Sequence, residues 1–365
     1  MAQLDNFTGR ESPSSKRGAT RQSGPMQPIS PNGVDSLCEK GLALMREARY
    51  GDALHLFNQI LKIRPALETA LYLKSNCLLG LGRYQEAVAA YDRTLVVNPH
   101  HASAWNNRGI AMIGLGHLDS GLQCFTRAGQ SDPRGLRAWF NRAICLHSLG
   151  RFAEAVECYS RVLALDPRDT EAWLEKGNGF YRLGRFREAV GCYDQALQLD
   201  SQASTAWLNR GVGLHCLGRI EEAVASYNRA LKLDPRDKRG WYNKGLSLHA
   251  RGNYQGAIEC YDYSLELDPK DAKVWTNKGA SLQRRGQFED AIRCYDQALK
   301  IDARMVAAWH NRADSLTSLH RFEEALGSRH RALRQELVGQ RAWFVNSKAR
   351  LARRQEMARP LPRSL

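Results

Sequence analysis

The hydrophobic and polar positions of this chain alternate with a helical period, and the same pattern returns along its length. In residues 238–271, Trp241, Gly245 and Leu248 are spaced i, i+4 and i+7, which places them on one face of a helix. A second set with helical spacing follows in the same segment: Tyr254, Ala257, Ile258, Tyr261 and Leu265. The pattern predicts two amphipathic helices joined by a short turn.

Glycine and proline mark the ends of the two predicted helices. Gly252 follows the first helix, and glycine favours the left-handed conformation that a helix C-terminus needs. Pro269 ends the second helix, because proline lacks the N–H and disfavours helix in the residue before it. Gly245 and Ala257, one on each helix, have small side chains that let the helices approach closely. Each such segment is predicted to be a helix–turn–helix hairpin.

The hairpin recurs at a fixed period of 34 residues, and we number each repeat so that its tryptophan is position 4. All eight tryptophans obey this period: Trp105, Trp139, Trp173, Trp207, Trp241, Trp275, Trp309 and Trp343. Prolines occupy position 32: Pro65, Pro99, Pro133, Pro167, Pro235 and Pro269, with Ser201 filling the gap. One hairpin cannot cover its own apolar face, so the period predicts a stack of hairpins.

The pattern W-x3-G-x2-L…G-x-[YF]-x2-A-x3-[YF]…P at this period resembles the tetratricopeptide repeat. The resemblance implies an all-α fold, a right-handed α-solenoid superhelix whose first helices line a concave groove. Nine repeats are predicted: 34–67, 68–101, 102–135, 136–169, 170–203, 204–237, 238–271, 272–305 and 306–339. Residues 1–33, rich in Ser, Gly, Pro and Gln, are predicted to be a disordered tail. Residues 340–365 are predicted to form a basic capping helix and tail.

Position 7 departs from the resembled family, in which it is usually apolar. Here it is basic in every repeat: Lys40, Lys74, Arg108, Arg142, Lys176, Arg210, Lys244, Lys278 and Arg312. In one interpretation the stems cover apolar surface while the charges reach water, near acids such as Glu154, Glu188 and Glu222. In the other, the nine residues form a basic stripe that binds a polyanion. The turn glycine is also replaced twice, by Ala48 and by His320.

Composition and charge restrict the classes of protein that remain. The net charge of +15 is concentrated in the segment from Arg329 to the C-terminus, where ten Lys and Arg stand against two Glu. No apolar run is long enough to cross a membrane, and residues 1–10 lack the core of a secretory signal, so a cytoplasmic protein without membrane insertion is expected. Five of the nine cysteines share position 23, which favours small hydrophobic packing over redox or metal chemistry: Cys124, Cys158, Cys192, Cys260 and Cys294.

Catalysis and cofactor binding have little support in the sequence. No nucleophile elbow, phosphate-binding loop, dinucleotide fingerprint or zinc-protease motif occurs, so no enzyme activity and no cofactor are predicted. His147, His215 and His249 share position 12. Equivalent helices of a stack lie roughly 8–10 Å apart, whereas Zn–N bonds are about 2.0–2.1 Å, so two of these histidines cannot share one ion.

The groove is the better candidate for a binding site, since the resemblance implies that positions 2, 5, 6, 9, 12 and 13 face it. Position 6 carries asparagine in six repeats, with Glu175 interrupting the column: Asn107, Asn141, Asn209, Asn243, Asn277 and Asn311. This column is similar to the asparagine ladder of O-linked N-acetylglucosamine transferases, and only the peptide-binding implication is carried over. An amide both donates and accepts, so the column suits an extended peptide backbone. Alternatively, the asparagines hold adjacent helices together.

Aromatic side chains accompany the asparagines at positions 5 and 12. Tyr72, Phe140, Tyr242 and Tyr181 are predicted to fill side-chain pockets of a bound segment. Some members of the resembled family clamp a C-terminal carboxylate with basic residues. Here Arg137, Arg182, Arg239 and Arg284 fall on groove positions without the clamp's arrangement.

The predicted function is a non-enzymatic protein–protein interaction scaffold or adaptor that binds an extended peptide segment of a partner in its concave groove. Two alternatives stay open at this point. One is binding of nucleic acid or an anionic surface through the basic C-terminal helix, with Arg350, Arg353, Arg354 and Arg359. The other is a regulatory subunit of a separately encoded enzyme. The sequence leaves the identity of the partner and the oligomeric state undetermined.

Overall fold

The computed structural model describes residues 31–338, and over that range the regular elements are all helices. They fall into two compact units that meet in the sequence at Leu199 and Asp200. Unit 1 contains α1 (Pro31–Arg46), α2 (Tyr50–Ile63), α3 (Glu68–Gly80), α4 (Tyr84–Val97), α5 (Ala102–Gly114), α6 (Leu118–Ser131), α7 (Leu136–Ser148), α8 (Phe152–Leu165), α9 (Thr170–Arg182) and α10 (Phe186–Leu199). Unit 2 contains α11 (Ser204–Cys216), α12 (Ile220–Leu233), α13 (Lys238–Ala250), α14 (Tyr254–Leu267), α15 (Ala272–Arg284), α16 (Phe288–Ile301), α17 (Val306–Ser318) and α18 (322–338).

Within each unit the helices pair into hairpins that stack on one another. The two helices of a hairpin pack together, the second helix packs on the first helix of the next hairpin, and first helices of consecutive hairpins also touch. The predicted all-α repeat solenoid is therefore confirmed. Every helix among residues 31–338 is too short or too polar to traverse a lipid bilayer.

The two predicted ends of the chain lie mostly outside the described residues. Helix α1 begins at Pro31, three residues before the first predicted repeat. Proline is favoured at the first position of a helix, where its missing N–H would have no partner in any case. The rest of the predicted tail, the predicted capping helix and its four arginines, Arg350, Arg353, Arg354 and Arg359, are outside residues 31–338.

Each tryptophan at position 4 is tied to the turn before it by the same hydrogen bond. The indole N–H donates to the carbonyl of the residue six places earlier, at position 32, over 2.8 Å from Trp105 to Pro99 and 3.0 Å from Trp241 to Pro235. The bond is present in seven of the eight such turns between residues 31 and 338, at Trp105, Trp139, Trp173, Trp207, Trp241, Trp275 and Trp309. The turn before α3 lacks it, because position 4 of that repeat is Leu71. Ser201 accepts it as proline does, so the carbonyl, rather than the proline ring, is what the tryptophan requires.

The close approach predicted from Gly245 and Ala257 is present, and an aromatic ring occupies it. A Cβ on Gly245 would lie 2.6 Å from the ring of Tyr261, closer than real Cβ contacts. Tyr261 and Ala257 are both fully buried. The same contact joins Gly177 to the ring of Tyr193. Glycine at position 8 therefore makes room for the tyrosine of the second helix.

The turn between the helices of a hairpin adopts the predicted left-handed conformation. Gly252 has φ +86°, and the other turn glycines in the described range have φ between +70° and +82°. Ala48 and His320 take the same place with φ +57° and +59°. For residues with a Cβ this conformation costs roughly 1–2 kcal/mol, so the first and last described turns carry strain that the glycine turns avoid.

The basic residues at position 7 are part of the scaffold. In six repeats the charged group lies over the tryptophan of the same helix, between 5.1 Å from the ring centroid for Lys244 and 5.7 Å for Arg108. Arg108, Lys278 and Arg312 also pair with an aspartate at position 25 of the preceding repeat, at 2.5–2.7 Å, and their side chains are only 18–19% exposed. These residues do not form an exposed basic stripe.

The acids that the first interpretation placed near position 7 form their ion pairs with arginines at position 16. Glu154, Glu188 and Glu222 each form an ion pair with an arginine three residues earlier, at position 16 of the same repeat. These surface pairs contribute little stability individually, because solvent screens them. The first interpretation fits the structure in two respects. The charged groups of six position-7 residues sit against tryptophan rings. After the hydrogen bonds from Arg151 and Arg219, the charges of Arg142 and Arg210 at position 7 also help to lower the pKa of Glu154 and Glu222.

The cysteines at position 23 are packing residues. All five are 1–5% exposed: Cys124, Cys158, Cys192, Cys260 and Cys294. Burial raises the pKa of Cys192, Cys260 and Cys294 to about 11, which keeps these thiols protonated and unreactive near neutral pH. The interpretation of this column as small buried hydrophobes is confirmed.

Truncating a tryptophan should test how much the stack depends on it. We expect Trp207→Ala to lower the free energy of unfolding by about 3–5 kcal/mol, because it removes a large packed ring. Trp207→Phe keeps a ring but loses the hydrogen bond to Ser201. Its loss should be smaller, about 0.5–1.5 kcal/mol. Urea unfolding followed by circular dichroism measures both values, and a Phe variant as stable as the wild type would show that the indole hydrogen bond contributes nothing.

Candidate functional site

A chain of amide hydrogen bonds runs across three consecutive first helices of unit 1. The Nδ2 of Asn141 on α7 donates to Oδ1 of Asn106 on α5 at 2.9 Å. Asn106 donates in turn to its neighbour Asn107 at 3.0 Å, and Asn107 donates to Oδ1 of Asn76 on α3 at 3.0 Å. The hydroxyl of Tyr91 on α4 donates to the same oxygen of Asn76 at 2.7 Å. The network fixes the rotamers of four asparagines at once.

Two adjoining cavities lie over this network, and we call them together the unit 1 groove. The larger has a volume of about 540 Å³ and extends from Met45 on α1 to Glu171 on α9. It is lined by all four network asparagines and by Ile110, Leu136, Arg137 and Phe140. The smaller, about 450 Å³, shares Asn106, Asn107, Leu136 and Arg137 and adds Tyr72. Four predicted site residues therefore lie together: Tyr72, Asn107, Phe140 and Asn141.

The network asparagines differ in how far a ligand can reach them. Asn106 and Asn141 are only 6% exposed, so their main contacts are with each other and with Asn107. Asn76 and Asn107 are half-buried. Each Nδ2 carries two hydrogens, and the hydrogen bonds described for Asn76 use only its oxygen. Asn76 therefore offers its amide nitrogen to a ligand. Asn107 already donates to Tyr72 and Asn76, and it offers the second lone pair of its Oδ1.

The asparagine column also joins adjacent first helices. Besides the bond from Asn141 to Asn106, Asn107 donates to the hydroxyl of Tyr72 at 3.2 Å. In unit 2, Asn277 donates to the hydroxyl of Tyr242 at 3.0 Å. In all three cases position 6 bonds to position 5 of the preceding repeat. The alternative in which these asparagines hold helices together therefore describes part of their role, and their contact with a ligand stays a prediction.

The remaining predicted site residues are spread over both units. Asn209, Asn243 and Asn311 are half-buried on α11, α13 and α17 of unit 2. Tyr181 lies near the end of α9 in unit 1, with its ring centroid 5.4 Å from that of Phe186. Tyr181 does not line the unit 1 groove as the two cavities define it.

Where Glu175 interrupts the asparagine column, unit 1 has a further cavity of about 380 Å³, which we call the acidic pocket. Its lining includes Ile144, His147, Ser148, Phe152, Tyr159, Glu171, Glu175 and Arg182. Glu175 Oε2 lies 3.7 Å from Nδ1 of His147. Burial is the main cause that raises the pKa of Glu175, and Glu171 adds to it, while a hydrogen bond from Asn178 opposes them. Burial, and then Arg182, lower the pKa of His147.

The histidines at position 12 each contact the next repeat. His147 faces Glu175, whereas Nδ1 of His215 and of His249 lies 2.8 Å from the hydroxyl of Ser247 and of Ser281. Among the described residues no group of three or more His, Cys, Asp or Glu side chains is arranged to hold a metal ion.

Sequence reasoning missed Asn76, Asn106 and Tyr159 as site residues. Asn76 stands at position 9, which the family resemblance already placed on the groove, and Asn106 directly precedes a predicted site residue. Asn76 is at position 9 and Asn106 at position 5, and both are groove positions. A search for asparagine at every groove position, rather than at position 6 alone, would have found both. Tyr159 belongs to the buried tyrosines of the second helices, so its sequence position favours a core role alone.

Comparison of the sequence with known protein families identifies the family of the chain. The family model described as Cilia and flagella-associated protein 70 C-terminal domain, a tetratricopeptide repeat model, matches residues 126–357, more than half of the chain. The chain belongs to this tetratricopeptide repeat family. A second family model, described as Anaphase-promoting complex, cyclosome, subunit 3, matches residues 26–94. No curated protein sequence matches the chain.

Solved tetratricopeptide repeat structures share the fold. The C-terminal part of a TPR repeat-containing protein from Cytophaga hutchinsonii superposes with a TM-score of 0.57 at 15% identity, covering 66% of this chain and 98% of that one. The APC/C hetero-tetramer Cut9–Hcn1 gives a TM-score of 0.50 at 20% identity, covering 77% of this chain and 55% of that one. At these identities the likeness establishes the repeat solenoid and leaves the site to be argued from this chain's residues.

A double-mutant cycle should measure how much the asparagine column contributes to stability. We expect Asn277→Ala and Tyr242→Phe each to lower the free energy of unfolding, with a coupling of about 0.5–1.5 kcal/mol, because each change removes one end of the same hydrogen bond. Urea unfolding of the two single variants and the double variant gives the coupling. A coupling of zero would mean that the bond does not join α13 and α15 in solution.

Proposed function

We propose that the chain is a non-enzymatic interaction scaffold or adaptor that binds an extended segment of a partner protein in the unit 1 groove. Tetratricopeptide repeat proteins generally mediate protein–protein interactions, and the Cut9 structure is named for an assembly with Hcn1. The observation that carries the proposal is the amide network beneath an open cavity of about 540 Å³.

The amide network suits an extended peptide because of the groups it offers. An extended segment presents backbone N–H and C=O groups at a regular spacing, and each asparagine amide can both donate and accept. Asn76 and Asn107 have rotamers already fixed by their hydrogen bonds to Tyr91, Tyr72 and Asn106. Little side-chain entropy is therefore lost when a peptide binds, which favours affinity.

The walls of the groove supply places for side chains of the bound segment. Ile110, Leu136 and Phe140 line the larger cavity beside the amides. Leu136 is exposed and Phe140 half-buried, so both offer apolar surface that a partner side chain can cover. Apolar anchors beside backbone-binding amides are the usual composition of a groove that recognises extended peptides.

The other predicted site residues form the second part of this proposal. In unit 2 we assign backbone contact to Asn209, Asn243, Asn277 and Asn311, and a side-chain pocket to Tyr242. Asn277 and Tyr242 already bond to each other, which fixes both in one rotamer as in unit 1. In unit 1, we assign a further aromatic contact to Tyr181, which lies on α9 outside the unit 1 groove.

A peptide selection tests the proposal. Random dodecapeptides displayed on phage are selected against the full chain, and binding of the selected peptides is then measured by fluorescence anisotropy. We expect Asn76→Ala/Asn107→Ala to weaken binding about tenfold or more, since each ten-fold change equals about 1.4 kcal/mol and two hydrogen-bonding amides are lost.

The matched control is Asn228→Ala, which removes an exposed asparagine of α12 on a second helix. It should leave the affinity of the selected peptides unchanged. Melting temperatures of both variants separate loss of contact from loss of fold. Equal affinity of the wild type and the Asn76/Asn107 variant, or a selection that enriches no peptide at all, would contradict the proposal.

A further inference from the structure

The acidic pocket of unit 1 contains a buried hydroxyl that the fold does not satisfy. Tyr159 is fully buried, and its Oη makes no hydrogen bond within the described residues. The equivalent hydroxyls of Tyr91 and Tyr193 donate to Asn76 at 2.7 Å and Asn178 at 2.9 Å, both at position 9. In the repeat of Tyr159 position 9 is Ile144, which has no acceptor. An unpaired buried polar group is unfavourable unless something else binds it.

Two carboxylates face the same pocket. Glu175 stands where six other repeats carry asparagine, so a group that only accepts hydrogen bonds replaces one that both donates and accepts. Glu171 lines the pocket from position 2 of the same helix, α9. Tyr159, Glu171 and Glu175 line the same cavity. Burial raises the pKa of Tyr159, and Glu175 and then Glu171 add to this effect.

The acidic pocket also contains Arg182 and His147, and these two basic side chains do not neutralise both carboxylates. Arg182 lies with its guanidinium 4.8 Å from the ring centroid of Phe152. His147 is 3.7 Å from Glu175, and burial together with Arg182 disfavours its charged form. The two carboxylates therefore outnumber the one permanent cation, and the pocket attracts a positive ligand.

The pocket adjoins the groove in which a partner segment is proposed to lie. Glu171 lines both the acidic pocket and the larger cavity of the unit 1 groove. A segment that follows the amides from Asn76 to Asn141 therefore reaches the pocket at its α9 end. The acidic pocket has a volume of about 380 Å³, which is enough for a long side chain.

We propose that the acidic pocket receives a basic side chain, arginine or lysine, of the bound partner segment. The cationic group donates hydrogen bonds to the carboxylates of Glu171 and Glu175 and to the oxygen of Tyr159. Such charge-assisted hydrogen bonds are stronger than neutral ones, and they give the unpaired hydroxyl a partner. This inference rests on the proposed function, because it assigns one side chain of the same bound segment.

A position-scanned peptide library tests the assignment on the full chain. Dodecapeptides selected by the wild type are resynthesised with arginine, lysine, citrulline, norleucine or glutamate at each position in turn. We expect one position at which arginine or lysine binds about tenfold more tightly than citrulline or norleucine, and the arginine and lysine arms identify which cation the pocket prefers.

Glu175→Asn provides the decisive variant, because it restores the residue that six other repeats carry at this position. It should abolish the preference for a basic residue at that one position while the peptide still binds. Peptides that bind the wild type without any basic preference, or a preference that Glu175→Asn leaves intact, would overturn this inference and leave the proposed function standing. Failure of every peptide to bind would overturn both.

Tyr159→Phe, with Tyr193→Phe as its matched control, tests the hydroxyl itself. Tyr193 donates to Asn178, so Tyr193→Phe should lower the melting temperature, whereas Tyr159→Phe should leave it unchanged or raise it. Tyr159→Phe should also weaken binding of the arginine or lysine peptide several-fold and leave the citrulline peptide unaffected. A Tyr159→Phe variant that melts as early as Tyr193→Phe, or that binds the basic peptide as tightly as the wild type, would contradict the assignment.

Discussion

The hydrogen bond from each tryptophan indole to the carbonyl six residues earlier is the constraint on which the stack depends. It fixes the turn that carries the chain from a second helix into the next first helix, and it recurs in seven of the eight such turns between residues 31 and 338. The same tryptophan ring also receives the basic side chain at position 7. The tryptophan at position 4, the carbonyl at position 32 and the basic residue at position 7 therefore all contribute to the same junction between repeats, which we call the joint.

Because that joint is built from positions 4, 7 and 32, the groove positions of the first helices are free to differ between repeats. Unit 1 uses this freedom to place amides on three neighbouring helices, where Asn76, Asn106, Asn107 and Asn141 bond to one another. In the following repeat, position 6 is Glu175 instead of asparagine, and Glu175 lines the same cavity as the unpaired hydroxyl of Tyr159. The joint positions are thus nearly the same in each repeat, whereas the groove positions differ. We expect the groove residues that differ between repeats to determine which partner segment is recognised.

The sequence was sufficient for features that one repeat specifies by itself. The helix pair, the left-handed turn at Gly252 and the glycine beneath Tyr261 follow from spacing and backbone chemistry within 34 residues. It was insufficient where a side chain depends on its neighbour in another repeat. The partner of Lys278 is Asp262 in the preceding repeat, and Tyr159 lacks a partner because position 9 of its repeat is Ile144. Likewise, the column of asparagines predicted a groove, but their bonds to one another required the geometry of adjacent helices.

Site-specific photo-crosslinking tests the central claim, that a partner segment lies in the unit 1 groove. The photoreactive amino acid p-benzoylphenylalanine is placed at Phe140, which lines the groove, or at Gln123, which is exposed on the second helix α6. The full chain is irradiated with the peptides selected by the wild type, and adducts are identified by mass spectrometry. We expect an adduct at position 140 and none at position 123. Equal crosslinking at both positions, or at position 123 alone, would contradict the account.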